Sequence, residues 1–397
     1  MESALSKALS RKVGKVQETE KEELLKLAVG VEGLETRLGR GDPDLETPAH
    51  ILRAGIEALE KGFTHYTHWA GMIELREAIG HKLRLDNGLH YDPKAEIVVT
   101  AGVEEAMYAV CQALLDPGDE VIIGDPYYTC YDGVVEFAGG KLVYIPTYES
   151  ENFVLQPEAI LQNITPKTKV LVVVTPNNPT AAVIPHDILE EIARIAVERD
   201  LMVISDEIYE KLIFDGLKHT SIASFPGMRE RTVVLNGFSK TYSMTGWRVG
   251  YFAAPADFVQ RVGPLKVVID ICANQAAQMA ALAALTGPEA CLREIISIYD
   301  ERRRFFMKVL DEAGLTYGYP GGSYYLFVNI QPTGRSAFEF CRDLLKDARL
   351  QLFPGTTYGH IEGYVRISLT APTEDLKAAA ERMGHAVKRY IREKKGR

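Results

Sequence analysis

The sequence predicts an α/β fold with a large domain built on a mostly parallel sheet, and a second, smaller α+β domain. Short apolar, β-branched runs alternate with helical patterns over roughly the first two thirds of the chain. Such alternation is typical of a parallel sheet flanked by helices. The run Val170 to Val174 is apolar on both faces, which is the pattern of a strand that helices cover on each side.

Six strands are expected in the large domain, each a short apolar run bounded by turn residues. Helices separate them, and Pro185 to Glu198 is one example, with Ile188, Leu189 and Ile192 at helical spacing. The predicted strands span residues 96–102, 119–126, 141–148, 169–176, 201–207 and 231–238.

The last part of the chain follows a different pattern. A long helix is expected from about Pro288 to Ala313, then strands in SYYLFVNI and YVRISLT, and an amphipathic helix from about Thr373 to Glu393. We therefore predict a large domain at residues 48–285 and a small domain formed by residues 1–47 and 286–397.

Composition narrows the class of protein. The chain has 397 residues, of which 46% are hydrophobic and 25% are charged, as in ordinary soluble globular proteins. A net charge of −9 argues against nucleic acid or an anionic membrane as the main partner. The five cysteines are scattered and never form a CxxC pair, so a reduced, cytoplasmic chain without a metal site is expected.

The candidate chemistry lies in residues that follow predicted strands, where open α/β sheets place their ligands. Lys240, in NGFSKTYSMTGWRVGY, could be a covalent anchor, and Arg248 could clamp a phosphate. Asp206 and Tyr209 follow the strand LMVIS, and a buried carboxylate there needs a cationic partner such as a protonated ring nitrogen. The alternatives are a solvated surface lysine and an aspartate that caps a helix.

Further candidates come from four other segments. In TAGVEEAMYA a glycine precedes a helix start, where the N–H groups of Val103 and Glu104 could bind an anion. Asn178 lies in a proline-stiffened turn, Tyr128 could stack on a planar ring, and Arg366 could bind a carboxylate with two parallel hydrogen bonds. A plain glycine turn, a plain asparagine turn, a packed tyrosine and a solvated strand arginine are the ordinary alternatives.

Taken in order, these segments resemble the class I and II aminotransferases of fold type I, enzymes that use pyridoxal 5'-phosphate and include aspartate and aromatic aminotransferases. The resemblance extends from GRGDPDLETP at 39–48 to VRIS at 365–368 and rests on PNNPT, SDEIY, the segment around Lys240 and VRIS. It implies a homodimer with shared active sites and the cofactor pyridoxal 5'-phosphate.

The resemblance also implies a role for each matching residue. Lys240 matches the lysine that binds the cofactor aldehyde and later moves the α-proton, and Arg366 matches the arginine for the substrate carboxylate. Gly41 matches a glycine of the substrate pocket, and both its neighbour Arg40 and Asn178 are possible substrate contacts. The other cofactor contacts implied are Asp206 for the ring nitrogen, Asn178 and Tyr209 for the ring hydroxyl, Tyr128 for stacking, Gly102, Val103, Glu104 and Arg248 for the phosphate, and Tyr66 for the phosphate of the neighbouring subunit.

Three segments depart from the family pattern, and one of them, YTHWAG with His68 and Trp69, lies near the expected substrate entrance. The other two concern the cofactor. Ala181 replaces the glycine that usually ends PNNPTG, and Gly237 stands where many members have a phosphate-binding serine, for which Ser239 could compensate. Neither departure changes the cofactor expected.

The sequence therefore predicts an aminotransferase that moves an amino group between an L-amino acid and a 2-oxo acid by a ping-pong mechanism. A pyridoxal-phosphate lyase that eliminates a thiol on the same scaffold is the alternative, because the cofactor contacts would be identical. A ligand-sensing regulator is a third possibility, which the acidic charge and the lack of spare residues for a DNA-binding domain disfavour. Aromatic and aspartate or glutamate donors are expected.

Overall fold

A seven-stranded sheet forms the centre of the fold in the computed structural model, which describes residues 3–10, 13, 19–31, 34 and 36–396. Two smaller sheets lie outside it. The strands are β1 (Thr36–Arg37), β2 (Ile97–Thr100), β3 (Glu120–Asp125), β4 (Lys141–Pro146), β5 (Thr168–Val174), β6 (Met202–Asp206), β7 (Thr232–Gly237), β8 (Gly250–Ala253), β9 (Thr316–Tyr317), β10 (Tyr325–Asn329), β11 (Leu350–Gln351), β12 (Phe353–Pro354) and β13 (Tyr364–Ser368).

The order of strands in the large sheet is β2-β8-β7-β6-β5-β3-β4. The strands from β3 to β7 pair in parallel, whereas β8 runs antiparallel to both of its neighbours. All six predicted strands are present, which confirms the mostly parallel sheet. The sequence analysis missed β8, because four residues that follow a turn carry too little pattern to be recognised.

Helices cover both faces of this sheet. Val170, Val172 and Val174 pack into a core with helix residues on one side, while Leu171 and Val173 pack into another core on the opposite side. The helices are α1 (Ala4–Lys7), α2 (Glu20–Val29), α3 (Ala49–Glu60), α4 (Ile73–Asn87), α5 (Val103–Leu114), α6 (Cys130–Phe137), α7 (Pro157–Asn163), α8 (His186–Glu198), α9 (Ala256–Asp270), α10 (Gln275–Thr286), α11 (Ala290–Ala313), α12 (Ala337–Ala348) and α13 (Thr373–Lys395). In the described part of the chain, no helix has both the length and the apolar character needed to cross a membrane.

The C-terminal part forms an antiparallel sheet in the order β12-β13-β10-β9, with α11 and α13 packed against each other. The N-terminal segment meets this part, because β1 pairs with β11 and Leu38 lies in the same hydrophobic core as Phe306 and Phe340. The long helix and the closing helix predicted for this region are confirmed within two residues at each end. The domain boundaries at residues 48 and 285 stay a prediction.

The segment from Gly39 to Pro48 connects the two parts of the fold. Arg302 on α11 donates two parallel hydrogen bonds to Asp44, from Nη1 to Oδ1 at 2.7 Å and from Nη2 to Oδ2 at 2.9 Å. Arg302 is buried and also donates to the carbonyl of Leu369. The pair fixes the segment that carries Gly41 into the cleft described below.

Replacing Arg302 with methionine should therefore destabilise the protein by about 3 kcal/mol, because Asp44 would keep a largely buried charge without its partner. Urea unfolding would measure the change. Arg304→Met is the matched control on the same helix, and its exposed ion pairs should contribute less than about 1 kcal/mol. Equal effects of the two variants would contradict this interpretation of Asp44.

Candidate active site

Residues that follow three adjacent strands meet at one edge of the large sheet. Asp206 ends β6, Asn178 follows β5 and Lys240 follows β7, and parallel strands bring such positions together at their carboxyl ends. They line a cleft of about 560 Å³. The other predicted residues that line it are Arg40, Gly41, Val103, Glu104, Tyr128, Tyr209, Ser239, Arg248 and Arg366.

The amine of Lys240 points to the N-terminal segment. Its Nζ donates to the carbonyl oxygen of Gly41 at 3.1 Å, and the hydroxyl of Tyr324 donates to the same oxygen at 3.1 Å. A Cβ atom on Gly41 would lie 2.4 Å from the hydroxyl of Tyr325, so only glycine fits there. The backbone of this segment thus holds the lysine inside the cleft.

Asp206 is buried beside the lysine without a basic partner among the described residues. Its Oδ2 accepts a hydrogen bond from the hydroxyl of Tyr131 at 3.2 Å, and its Oδ1 accepts one from the N–H of Ile208 at 3.3 Å. Burial raises the pKa of Asp206 to about 6. Because β6 continues into a turn and not into a helix, the helix-cap alternative for this residue is wrong.

Arg248 and the start of α5 form a basic end of the cleft. The Nη2 atom of Arg248 lies 2.8 Å from Oε2 of Glu104, and a Cβ atom on Gly102 would lie 2.6 Å from that Nη2 atom. Gly102 has φ 88°, a conformation that favours glycine, and it is the residue before α5. The backbone N–H groups of the first helical turn have no intrahelical partners, so this end of the cleft can bind an anion.

Close packing explains why residue 237 is a glycine, and the sequence analysis did not recognise this. It pairs with Gly250 of β8, and a Cβ atom on Gly237 would lie 3.0 Å from the Cα atom of Gly250. A Cβ atom on Gly250 would in turn lie 2.9 Å from the carbonyl carbon of Gly102. The strands approach closely beneath the anion-binding turn, and this explains the glycine where a serine was expected.

Arg366 lies at the opposite end of the cleft on β13. Its guanidinium lies 4.3 Å from the ring centre of Tyr325 and 4.2 Å from that of Tyr358. Nη1 donates to Oδ1 of Asn178 at 2.9 Å and Nη2 donates to the carbonyl of Gly39 at 2.7 Å, whereas the buried Nε has no partner among the described residues. An oriented, buried guanidinium of this kind suits a planar carboxylate.

Tyrosines close the cleft between these two ends. The hydroxyl of Tyr209 is 3.0 Å from that of Tyr325, and the hydroxyl of Tyr128 donates to Oε1 of Glu104 at 3.3 Å. Ser239 is buried and lines the cleft. Tyr128 lines the cleft and also packs against the hydrophobic core on that face of the large sheet, so its role toward a ring stays a prediction.

Two of the residues predicted to contact the cofactor or the substrate differ from the others in their surroundings. Tyr66 lies outside the cleft and is 77% exposed. Arg40 lines the cleft, but its Nη2 atom is 2.7 Å from Oδ2 of Asp42, which occupies part of its guanidinium. Tyr66 is therefore not part of the cleft of its own chain.

Sequence reasoning missed two features next to the site. Tyr131 reaches Asp206 from α6, and its spacing of three residues from Tyr128 was the available signal. Behind Asp206, Nε2 of His219 lies 3.0 Å from Oε2 of Glu207, and Lys82 pairs with Glu210. Burial lowers the pKa of His219, but the charge and hydrogen bond of Glu207 raise it overall, and the cluster supports the turn that follows β6.

The residues of the cleft fit pyridoxal 5'-phosphate. Asp206, a buried carboxylate whose pKa is raised by burial, is suited to a protonated ring nitrogen. The free helix N–H groups and Arg248 are suited to a phosphate, and the amine of Lys240 is suited to an aldehyde. The fold and the cleft are those of a pyridoxal-phosphate enzyme of fold type I.

Comparison with known proteins identifies the family. The model of the family "Aminotransferase class I and II" matches residues 35–383. The chain is 42% identical to aromatic-amino-acid aminotransferase 2 of Thermococcus litoralis over 96% of this chain and 98% of that protein. It is 41% identical to an aspartate aminotransferase of Pyrococcus abyssi over 98% of this chain and 99% of that protein.

A solved structure agrees with these relatives. The structure of a double mutant of Thermus thermophilus aspartate aminotransferase superimposes with a TM-score of 0.91 at 37% identity, covering 95% of this chain and 99% of that one. The chain belongs to the class I and II aminotransferases, and it is a pyridoxal-phosphate-dependent aminotransferase. The comparisons favour this activity over the lyase alternative.

The raised pKa of Asp206 predicts how stability depends on pH when the cofactor is absent. Below about pH 4 the carboxyl is protonated in both the folded and the unfolded chain, but above about pH 6 folding must keep a buried charge. The penalty should reach about 3 kcal/mol at neutral pH. Asp206→Asn should remove it, so the variant should gain stability over the natural protein as the pH rises from 4 to 7.

Urea unfolding of both cofactor-free proteins across this pH range would measure that difference. With cofactor bound the sign should reverse, because the amide cannot pair with a ring cation, and activity should be lost. A stability difference that stays constant with pH would show that Asp206 ionises at its ordinary pKa in the folded chain.

Proposed function

We propose that this aminotransferase holds its cofactor with Lys240, Asp206 and Arg248 and its substrate with Arg366. The observation that carries the proposal is the convergence of these four groups in one cleft. Arg248 lies at the end formed by the start of α5, and Arg366 lies at the end formed by β13. The amine of Lys240, held at the carbonyl of Gly41, lies in the same cavity.

Each residue has a separate task in the reaction. Arg366 binds the α-carboxylate of the amino acid and fixes its orientation, which lowers the entropic cost of the proton transfer. The bound cofactor supplies an electron sink for the negative charge that develops at the substrate α-carbon. Lys240 takes the proton from that carbon on its Nζ atom, a step worth roughly 10²–10⁴-fold in rate.

The remaining contacts orient the cofactor. Asp206 keeps the ring nitrogen protonated, and Tyr131 holds the carboxylate in place. In this proposal Asn178 and Tyr209 contact the ring hydroxyl, and Tyr128 contacts the ring face. Gly102, Val103, Glu104 and Ser239 belong to the phosphate end, and Gly41 and Arg40 belong to the substrate pocket.

We propose acidic and aromatic L-amino acids as donors and their 2-oxo acids as acceptors, in a ping-pong reaction. The names of the relatives support both classes, since one is an aromatic-amino-acid aminotransferase and another is an aspartate aminotransferase. Tyr325, Tyr358 and Phe353 provide aromatic surface in the cleft. Arg40 is the candidate for a second carboxylate, although its pairing with Asp42 means that it would have to exchange partners.

Lys240→Ala tests the proposed role of the lysine. The variant should still bind cofactor through the phosphate and ring contacts, but amino-group transfer should fall by at least about 10²-fold because the proton carrier is lost. Acidic and aromatic L-amino acids would be added one at a time to the cofactor-loaded enzyme, and the absorbance of the bound cofactor would be followed. Lys211→Ala, which removes a lysine paired with Asp86 outside the cleft, is the control and should behave as the natural enzyme. Normal turnover in Lys240→Ala would refute the proposal.

We also propose a cytoplasmic homodimer in which Tyr66 reaches the phosphate of the partner's cofactor. The exposure of Tyr66 supports this dimer. Val268 and Ile271 add exposed apolar surface near Tyr66. They are near it because Cys272, which follows them, accepts a hydrogen bond from the N–H of Thr67. The shared active site would make the dimer necessary for activity.

Tyr66→Phe should weaken cofactor binding by about tenfold, because it removes a hydrogen bond to a charged phosphate. Sedimentation should show twice the mass of one chain for both proteins, and spectroscopic titration would give the affinity. Tyr148→Phe is a control at another exposed tyrosine. A monomer with full activity would disprove the shared site.

A further inference from the structure

An acidic side chain occupies the end of the cleft where the phosphate is proposed to bind. Oε2 of Glu104 accepts a hydrogen bond from Nη2 of Arg248 at 2.8 Å, and Oε1 accepts one from the hydroxyl of Tyr128 at 3.3 Å. Burial works to raise the pKa of Glu104, but the hydrogen bond and charge of Arg248, with a contribution from Lys240, lower it overall. Glu104 is therefore a carboxylate at neutral pH, in a place that favours anions.

The neighbouring Glu105 differs from Glu104 in every relevant respect. It turns away from the cleft, accepts a hydrogen bond from the N–H of Ala101 and lies 3.0 Å from Nζ of the buried Lys266. Asp270 also pairs with that lysine. The charge of Glu105 is thus balanced inside the fold, and Glu104 is the acid of the first turn of α5 that lines the cleft.

The contacts of Arg248 show how its guanidinium is shared. Nη1 donates to the carbonyl of Thr245 at 3.2 Å, and Nη2 lies 3.4 Å from the carbonyl oxygen of Ala101 besides its bond to Glu104. Nη2 of Arg248 therefore both bonds to Glu104 and lies beside Gly102, at the start of α5. A phosphate at this turn would have to share Nη2 with a carboxylate, and two anions on one cation repel each other.

We propose that Glu104 is a positioning residue that competes with the cofactor phosphate for Arg248 and so weakens the affinity for pyridoxal 5'-phosphate. It holds the guanidinium at the turn, and its negative charge opposes the phosphate there. The inference rests on the proposed assignment of Arg248 to the phosphate.

Glu104→Gln is the direct test, because glutamine keeps the shape and can accept the same hydrogen bonds without the charge. The dissociation constant for pyridoxal 5'-phosphate should fall by about tenfold, and the inhibition constant of inorganic phosphate should fall by about the same factor. Both constants would come from spectroscopic titration of the cofactor-depleted protein. An unchanged or weaker affinity in Glu104→Gln would overturn the proposal, since a purely supporting role predicts weakening.

Two further variants separate the possible failures. Asp116→Asn removes one negative charge just beyond the other end of α5, outside the cleft, and should leave both constants unchanged. If Asp116→Asn tightens cofactor binding as much as Glu104→Gln does, the effect comes from net charge alone and the proposal is overturned. Arg248→Met should weaken cofactor binding. If it does not, the phosphate assignment fails; if it does and Glu104→Gln shows no tightening, only the role of Glu104 fails.

Discussion

The burial of Asp206 without a cationic partner in the described chain is the constraint on which the site depends. A carboxylate at the end of a central strand, with a pKa raised to about 6 by burial, destabilises the fold unless a ligand neutralises it. The protein keeps it in place with Tyr131 and the N–H of Ile208, both of which bond to its oxygens. A cationic ring at Asp206 would relieve this penalty, and the proposed bond to Lys240 would add to an attraction that the fold already provides.

The position of the strands explains why the other groups reach this carboxylate. Asn178, Asp206 and Lys240 follow β5, β6 and β7, three neighbouring parallel strands, so their distance from one another is set by the spacing of the sheet. Arg366 comes from β13 of the four-stranded sheet, and its hydrogen bond to Asn178 connects that sheet with the large sheet across the cleft. The Gly39–Pro48 segment, fixed by Arg302, completes the enclosure. The proposed phosphate contact Arg248, which precedes β8, and the proposed carboxylate contact Arg366, in β13, are consequently carried by different sheets.

Patterns in the sequence predict the regular elements well and their contacts poorly. The six strands and the helices at α8, α11 and α13 follow from periodicity, because each is long enough to repeat its pattern. The short strands β1, β8, β11 and β12 carry no such repeat. The pairing of Arg248 with Glu104 spans 144 residues and exists because β8 lies beside β2, which no local pattern shows. Lys240, Asp206 and Arg366 could be named in advance through the family resemblance, whereas the Gly237–Gly250 contact needed coordinates.

The charges of the cleft also fix how its ligands lie. Arg248 is at one end and Arg366 at the other, and Asp206 is buried at the carboxyl edge of the large sheet. A molecule with a phosphate, a ring cation and a carboxylate can match these three charges, and the free N–H groups at the start of α5 favour its phosphate over its carboxylate at the Arg248 end. Glu104 refines this arrangement, because it opposes anions at the phosphate end and leaves the Arg366 end unchanged. A change at Glu104 should therefore alter how tightly the phosphate end of the cofactor binds and leave the contacts of Arg366 as they are.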